Sequence, residues 1–153
     1  MSNRSHVISA ISGLATLAAL FVSGSANAAR IEGFQSRAAY WSDQPCIGNY
    51  WTGVTNTCNY TLDVQASATV TSGTYSPNAY AYGYNGSTKL NVIGISSTLD
   101  WFSGPGQVNL AGGSSSAPTW STFASSSVSV PVGGAMLFIV TLAPNQFLSY
   151  LTY

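Results

Sequence analysis

Between residues 62 and 71 apolar and polar positions alternate without a break. Leu62, Val64, Ala66, Ala68 and Val70 fall on one side; Asp63, Gln65, Ser67, Thr69 and Thr71 fall on the other. A period of two with one apolar side predicts a strand in a sheet that buries one face and wets the other. Tyr80-Ala81-Tyr82-Gly83-Tyr84 is a second extended run, closed by Asn85-Gly86. Asn-Gly favours a type I′ turn because both residues tolerate positive φ, so a hairpin into a strand over residues 89–99 is expected. Ala135–Leu142 is apolar on both sides and reads as a central buried strand.

Turn residues punctuate the rest. Gly104-Pro105-Gly106, Gly133-Gly134 and Pro144-Asn145 each predict a reversal. Residues 107–111 form a short strand with Val108 and Leu110 inward. Residues 112–127 are rich in Ser and Gly and read as a long loop with a short strand around Trp120 to Phe123. Val128-Ser129-Val130-Pro131-Val132 alternates, and Pro131 argues for an edge or a strand end. Residues 147–153 are expected to pair back as the last strand. About seven or eight short strands at this spacing predict an all-β chain, a single antiparallel β-sandwich of immunoglobulin-like or jelly-roll-like form. Residues 128–142, with their paired glycines, resemble strand-turn-strand stretches of bacterial immunoglobulin-like modules.

The N-terminal segment follows a different pattern. Arg4 precedes an apolar run over residues 7–22, and Ala26-Asn27-Ala28 is a small-x-small cleavage site. As a helix that run would be about 24 Å long, short of the roughly 30 Å apolar core of a bilayer. Residues 1–28 therefore read as a removable signal peptide, and residues 29–153 as the single mature domain. The expected location is outside the cytoplasm: extracellular, at the cell surface or periplasmic. No integral membrane span is expected in the mature chain.

Cleavage changes the available chemistry. The sole histidine, His6, leaves with the leader. Arg30, Arg37 and Lys89 then stand against Glu32, Asp43, Asp63 and Asp100. Charged residues make up 5% of the chain, against about a quarter in an ordinary soluble domain. This balance offers no electrostatic case for nucleic acid and no polybasic membrane patch. A surface of Ser, Thr, Asn, Gln, Gly and Tyr suits self-association or adhesion to a neutral polar partner.

Cys46 and Cys58 form an even pair, which in an exported chain predicts a disulfide. Zinc would need further ligands that the mature chain does not supply, so no metal and no cofactor are expected. Without histidine a Ser-His-Asp or Cys-His group cannot be assembled. Glycoside hydrolysis needs two carboxyl groups about 5 to 9.5 Å apart. Asp43 with Asp100, near Trp101-Phe102, is the one pair that can be drawn. Turn capping or a salt link explains the same aspartates more simply.

Aromatic residues are the remaining candidates. Tyr80, Tyr82 and Tyr84 project from one side of a strand, and rings with polar edges can stack on sugar faces. Packing is the competing reading; the small Ala81 and Gly83 on the other side leave the two readings balanced. Trp51 lies between the cysteines, where packing against the disulfide is favoured over ligand contact. The leading expectation is a secreted, non-enzymatic β-sandwich that binds or coats a neutral polar surface, with a polysaccharide or cell-surface glycan as the partner such rings suit. The alternatives are a structural subunit of a surface fibre or extracellular matrix, a small outer-membrane β-barrel whose end Tyr153 would mark, and, last, a carboxylate-pair glycoside hydrolase.

Overall fold

The computed structural model describes residues 29–98, 101–102 and 107–153. The expected leader with its cleavage site, Asp100 and the expected Gly104-Pro105-Gly106 turn lie outside the described residues. In chain order the strands are β1 (Arg30–Glu32), β2 (Arg37–Ala38), β3 (Ile47–Tyr50), β4 (Gly53–Asn56), β5 (Leu62–Thr69), β6 (Gly73–Tyr75) and β7 (Asn78–Gly83). There follow β8 (Lys89–Ile95), β9 (Trp101–Phe102), β10 (Val108–Asn109), β11 (Thr119–Ala124), β12 (Val128–Val130), β13 (Ala135–Leu142) and β14 (Phe147–Thr152). Two 3-10 turns, Gly33–Gln35 and Trp41–Cys46, interrupt the early strands.

These strands make the expected antiparallel sandwich. One sheet runs β11-β7-β14-β4-β3, with β1 also on β14; the other runs β10-β8-β13-β5-β2, with β9 also on β8. β12 and β6 form a separate ribbon. The strands are thus parted into separate sheets instead of one closed barrel, which removes the membrane-barrel reading. They are also shorter and more numerous than the seven or eight expected, because glycines and the 3-10 turns divide the extended runs; a bulge shifts the register of β14 without breaking it. That bulge lies between Leu148 and Tyr150 of β14. On one side of it β14 pairs with β4, and beyond it with β1.

Side-chain alternation builds the core. β5 buries Leu62, Val64, Ala66 and Ala68, as its pattern predicts. β13 occupies the residues expected of the central strand, between β5 and β8. It buries Met136, Phe138, Val140 and Leu142, while Leu137 and Ile139 are half-buried on the outer face. The first sheet contributes Ala79 and Ala81 of β7, Val54, Leu148 and Leu151 to the same cluster. Small residues from β7 and large ones from β13 share one core, a combination that lets facing layers interdigitate.

Two expected pairings are overturned. β7 and β8 do not form a hairpin at Asn85-Gly86; they belong to different sheets. A type I′ turn needs positive φ at both central residues, and here only Gly86 has it, at 85°. Ser87 N and Thr88 N instead donate back to Tyr84 O at 3.2 and 3.3 Å, and Asn85 N donates to Gly112 O at 2.9 Å. The chain is carried across the sandwich. β14 likewise does not pair back on β13. Pro144-Asn145 does reverse the chain, with Asn145 at φ 63°, but β14 joins the other sheet between β7 and β4. Gly133 (φ 72°) turns the chain as expected, and again the flanking strands β12 and β13 lie in different sheets.

A buried polar knot ties these crossings together. Asn56, fully buried, donates from Nδ2 to Tyr60 O at 2.7 Å and Leu142 O at 2.9 Å, and its Oδ1 accepts from Cys58 N at 2.9 Å. Gln146 accepts at Oε1 from Thr88 Oγ1 at 2.7 Å and Ala143 N at 2.8 Å, and donates from Nε2 to Ser87 Oγ. The two residues meet through the backbone, Asn56 N donating to Gln146 O at 3.0 Å. One network therefore spans β4, the β7–β8 crossing and the β13–β14 crossing.

Ser36 is the exception to this satisfaction. Its Oγ is buried and makes no hydrogen bond among the described residues. A buried hydroxyl without a partner is a desolvation cost of about 1 kcal/mol or more. Ser36→Ala is expected to raise stability by about 1 kcal/mol in urea unfolding; a loss of stability would show that the hydroxyl has a partner.

Candidate functional site

The tyrosines of β7 face outward because Ala79, Ala81 and Gly83 face in. A side chain at Gly83 would strike Thr88 Oγ1 and the Gln146 amide. Register sets the neighbours of the stripe. Trp120 of β11 and Phe147 of β14 flank Tyr82, and Tyr150 of β14 flanks Tyr80. Tyr80 is stacked between Trp120 (centroids 5.1 Å, planes 18° apart) and Tyr150 (5.2 Å, 26°). The Arg30 guanidinium lies 4.0 Å from the Tyr150 ring centre and pairs with Glu32 at 2.7 Å. Tyr82 tilts against Trp120 at 5.5 Å. Both faces of the Tyr80 ring are thus occupied by other rings. Tyr84 follows the end of β7 and is half-buried. The structure brings Tyr80 and Tyr82 together in a packed aromatic layer, with Tyr84 outside it.

That layer continues toward the hairpin of β3 and β4. Phe147 meets Trp120 edge-on at 5.6 Å and Tyr50 at 5.9 Å. Tyr50 is opposite Gly53, and a side chain at Gly53 would run into the Phe147 ring and Leu148 O. A side chain at Gly33 would meet Leu148 O, Ser149 O and the Gly53 Cα. Two glycines in contact therefore let the 3-10 turn lie directly on β14 beside the hairpin. Phe34, the middle residue of that turn, lines a cleft of about 470 Å³ with Asn49, Tyr50 and Trp51.

Trp51 corrects the packing expectation. It is 97% exposed and does not cover the disulfide. Cys46 and Cys58 are bonded, as expected, but they flank the Ile47–Asn56 pair at the open end of the hairpin. Trp51 and Thr52 form the tip beyond Tyr50 and Gly53, three residue pairs further along, which is roughly 10 Å away at 3.3 Å per residue. The disulfide staples one end and the indole stands free at the other. In the chain-entropy account, closing a loop of this length is worth roughly 3 kcal/mol. The double change Cys46→Ser with Cys58→Ser is expected to lower stability by about that amount, measured by urea unfolding under non-reducing conditions.

The cleft holds three rings and one amide. It can stack on apolar faces and exchange neutral hydrogen bonds. None of its lining residues is an acid or a base.

The carboxylates lie elsewhere. Asp43 Oδ1 accepts from Tyr60 Oη at 3.0 Å and from Ser42 Oγ at 3.3 Å. The Tyr60 phenol is held above its ordinary range, first by that hydrogen bond to Asp43, then by desolvation and by the Asp43 charge. Asp63 Oδ1 accepts from Thr141 Oγ1 at 2.6 Å. Asp43 and Asp63 line one cleft of about 260 Å³ with Tyr40 and Thr61, a pairing that spacing along the chain did not suggest. Asp100 lies outside the described residues. Among the described residues no three His, Cys, Asp or Glu side chains converge to hold a metal, and no helix is long and apolar enough to cross a membrane.

No known family model matches this chain, and no curated protein matches it in sequence. Solved structures share its fold. One is a carbohydrate-binding module of Cellvibrio mixtus lichenase 5A in complex with cellotriose (TM-score 0.50, 16% identity, 81% of this chain and 94% of that one). Another is a CBM36-1 domain of a multidomain xylanase from the hindgut metagenome of Trinervitermes trinervoides (TM-score 0.51, 17% identity, 82% and 95%). A third is Arthrobacter globiformis T6 isomalto-dextranase complexed with panose (TM-score 0.50, 13% identity), where the match covers 82% of this chain but 23% of that one. At these identities the likeness is one of fold.

Proposed function

We propose that this chain is an exported, non-catalytic β-sandwich that binds a neutral glycan in the cleft of Phe34, Asn49, Tyr50 and Trp51. The observation that carries the proposal is the exposed indole of Trp51, held at a stapled hairpin tip beside two further exposed rings and a neutral amide. Sugar rings present C–H faces to aromatic planes and hydroxyls to amides, and recognition of that kind needs no charge. The fold it shares with a carbohydrate-binding module solved in complex with cellotriose supports the same reading. Tyr80 and Tyr82 act as the floor that fixes Phe147 and, through it, Tyr50.

The test is retention of the mature chain on insoluble or gel-embedded neutral polysaccharides, β-glucan, xylan and α-glucan among them. Retention on at least one, competed by its soluble oligosaccharide, is expected. Failure to bind any of them would sink the proposal. A second reading has one observation in its favour. Asp43 and Asp63 share a cleft, as a glycosidase pair must. Reducing-sugar release from the same polysaccharides, abolished by Asp43→Asn, would establish it in place of simple binding.

A further inference from the structure

The outer face of the second sheet carries a groove that the neutral-glycan reading does not use. Two adjoining cavities, about 360 and 240 Å³, share Arg37 of β2 and its direct cross-strand partner Gln65 of β5. Gln35 and Ser67 line the first; Trp41 and Gln44 line the second. We propose that this groove is a second glycan subsite, and that it takes a sugar bearing a carboxylate, a uronic acid residue.

Its polar groups are arranged as donors. Gln35 Oε1 already accepts from Glu32 N at 2.9 Å, and Gln44 Oε1 from Ala38 N at 3.1 Å. Each amide has its acceptor committed to backbone, which leaves the Nε2 hydrogens for another partner. The Arg37 side chain is exposed and makes no hydrogen bond or ion pair among the described residues. The acids that could have neutralised it are engaged: Glu32 by Arg30, Asp43 by Tyr60, and Asp63 by Thr141. A guanidinium fork with amide donors beside it matches the two oxygens of a carboxylate. Trp41, 89% exposed in the same groove, supplies a face for the sugar ring that carries it. Asp63 is the adjacent charge of opposite sense, two residues from Gln65 on the same face of β5. It opposes an anion there.

The test is titration calorimetry of the mature chain with trigalacturonic acid at low and at physiological salt. Binding that weakens with salt is expected. Arg37→Gln should reduce affinity roughly tenfold or more, and Asp63→Asn should increase it. Trp51→Ala should leave it unchanged, which separates this subsite from the neutral cleft. Circular dichroism of Arg37→Gln should match the unaltered chain, since the side chain is exposed. Equal binding of the fully methyl-esterified trisaccharide, equal binding of a sulfated neutral trisaccharide, or unchanged affinity in Arg37→Gln would each overturn the proposal.

Discussion

Asn56→Ala is expected to lower the free energy of unfolding by about 3–5 kcal/mol, measured by urea denaturation with the disulfide intact. The side chain is fully buried and makes three hydrogen bonds, each to a backbone group. Truncation leaves Tyr60 O, Leu142 O and Cys58 N without those partners in or near the core. Each orphaned group costs about 1–3 kcal/mol, because folding has already removed it from water. The loss extends beyond one site, since Leu142 ends β13 and Cys58 closes the disulfide loop. Asn56→Asp should be nearly as harmful, since a carboxylate can accept from Cys58 N but cannot donate to the two carbonyls. A loss below about 1 kcal/mol in both variants would mean that water replaces the amide, and that the knot does not hold the crossings.

Trp51→Ala is expected to weaken binding to the retained polysaccharide by about 2 kcal/mol, close to thirtyfold, in affinity electrophoresis. The indole is the largest free aromatic surface at the cleft, and nothing on the protein competes for its faces. The melting temperature should barely move, because a side chain 97% exposed contributes little packing. Tyr82→Ala should show the opposite balance. Its ring packs on Trp120, so stability falls and any loss of binding is smaller. Unchanged affinity in Trp51→Ala with full binding in the parent chain would exclude the cleft as the site.

Local structure was legible wherever a single face of a strand decided it. The alternation from Leu62 onward survived into β5, and the apolar run Ala135–Leu142 became β13 with the same ends. Turn positions were legible too, from Pro144-Asn145 and Gly133-Gly134. Sheet membership was not. A turn residue states that the chain reverses, while the choice of the next sheet depends on contacts far along the chain. Gln146 binding Ser87 and Thr88 is one such contact, and Asn56 binding Leu142 is another.

The cleft was half legible. Trp51 attracted attention by its place between the cysteines, but its size and hydrophobicity argued for packing. The arithmetic of the loop pointed the other way. The cysteines are 12 residues apart, so a hairpin stapled at its open end must have its tip near residue 52, far from the sulfurs. No sequence pattern marks Phe34. Its position depends on Gly33 lying against Gly53, and no periodicity records the contact of two glycines distant in sequence. The stacking of Tyr80 between Trp120 and Tyr150 is of the same kind, because it rests on register between β7, β11 and β14.

The position of β14 has a consequence for biogenesis. It is the last of the described strands in chain order, yet it sits inside the first sheet, with β7 on one side and β4 and β1 on the other. β1 and β4 find that partner only once the distant residues 147–152 have been made. Such long closures are slow and must precede the contacts that reward them. A nascent chain lacking β14 can complete the second sheet but not the first, whose β7 and β4 are joined only through β14. The sheet that carries the aromatic face therefore closes last, after the sheet built around β13 can already form.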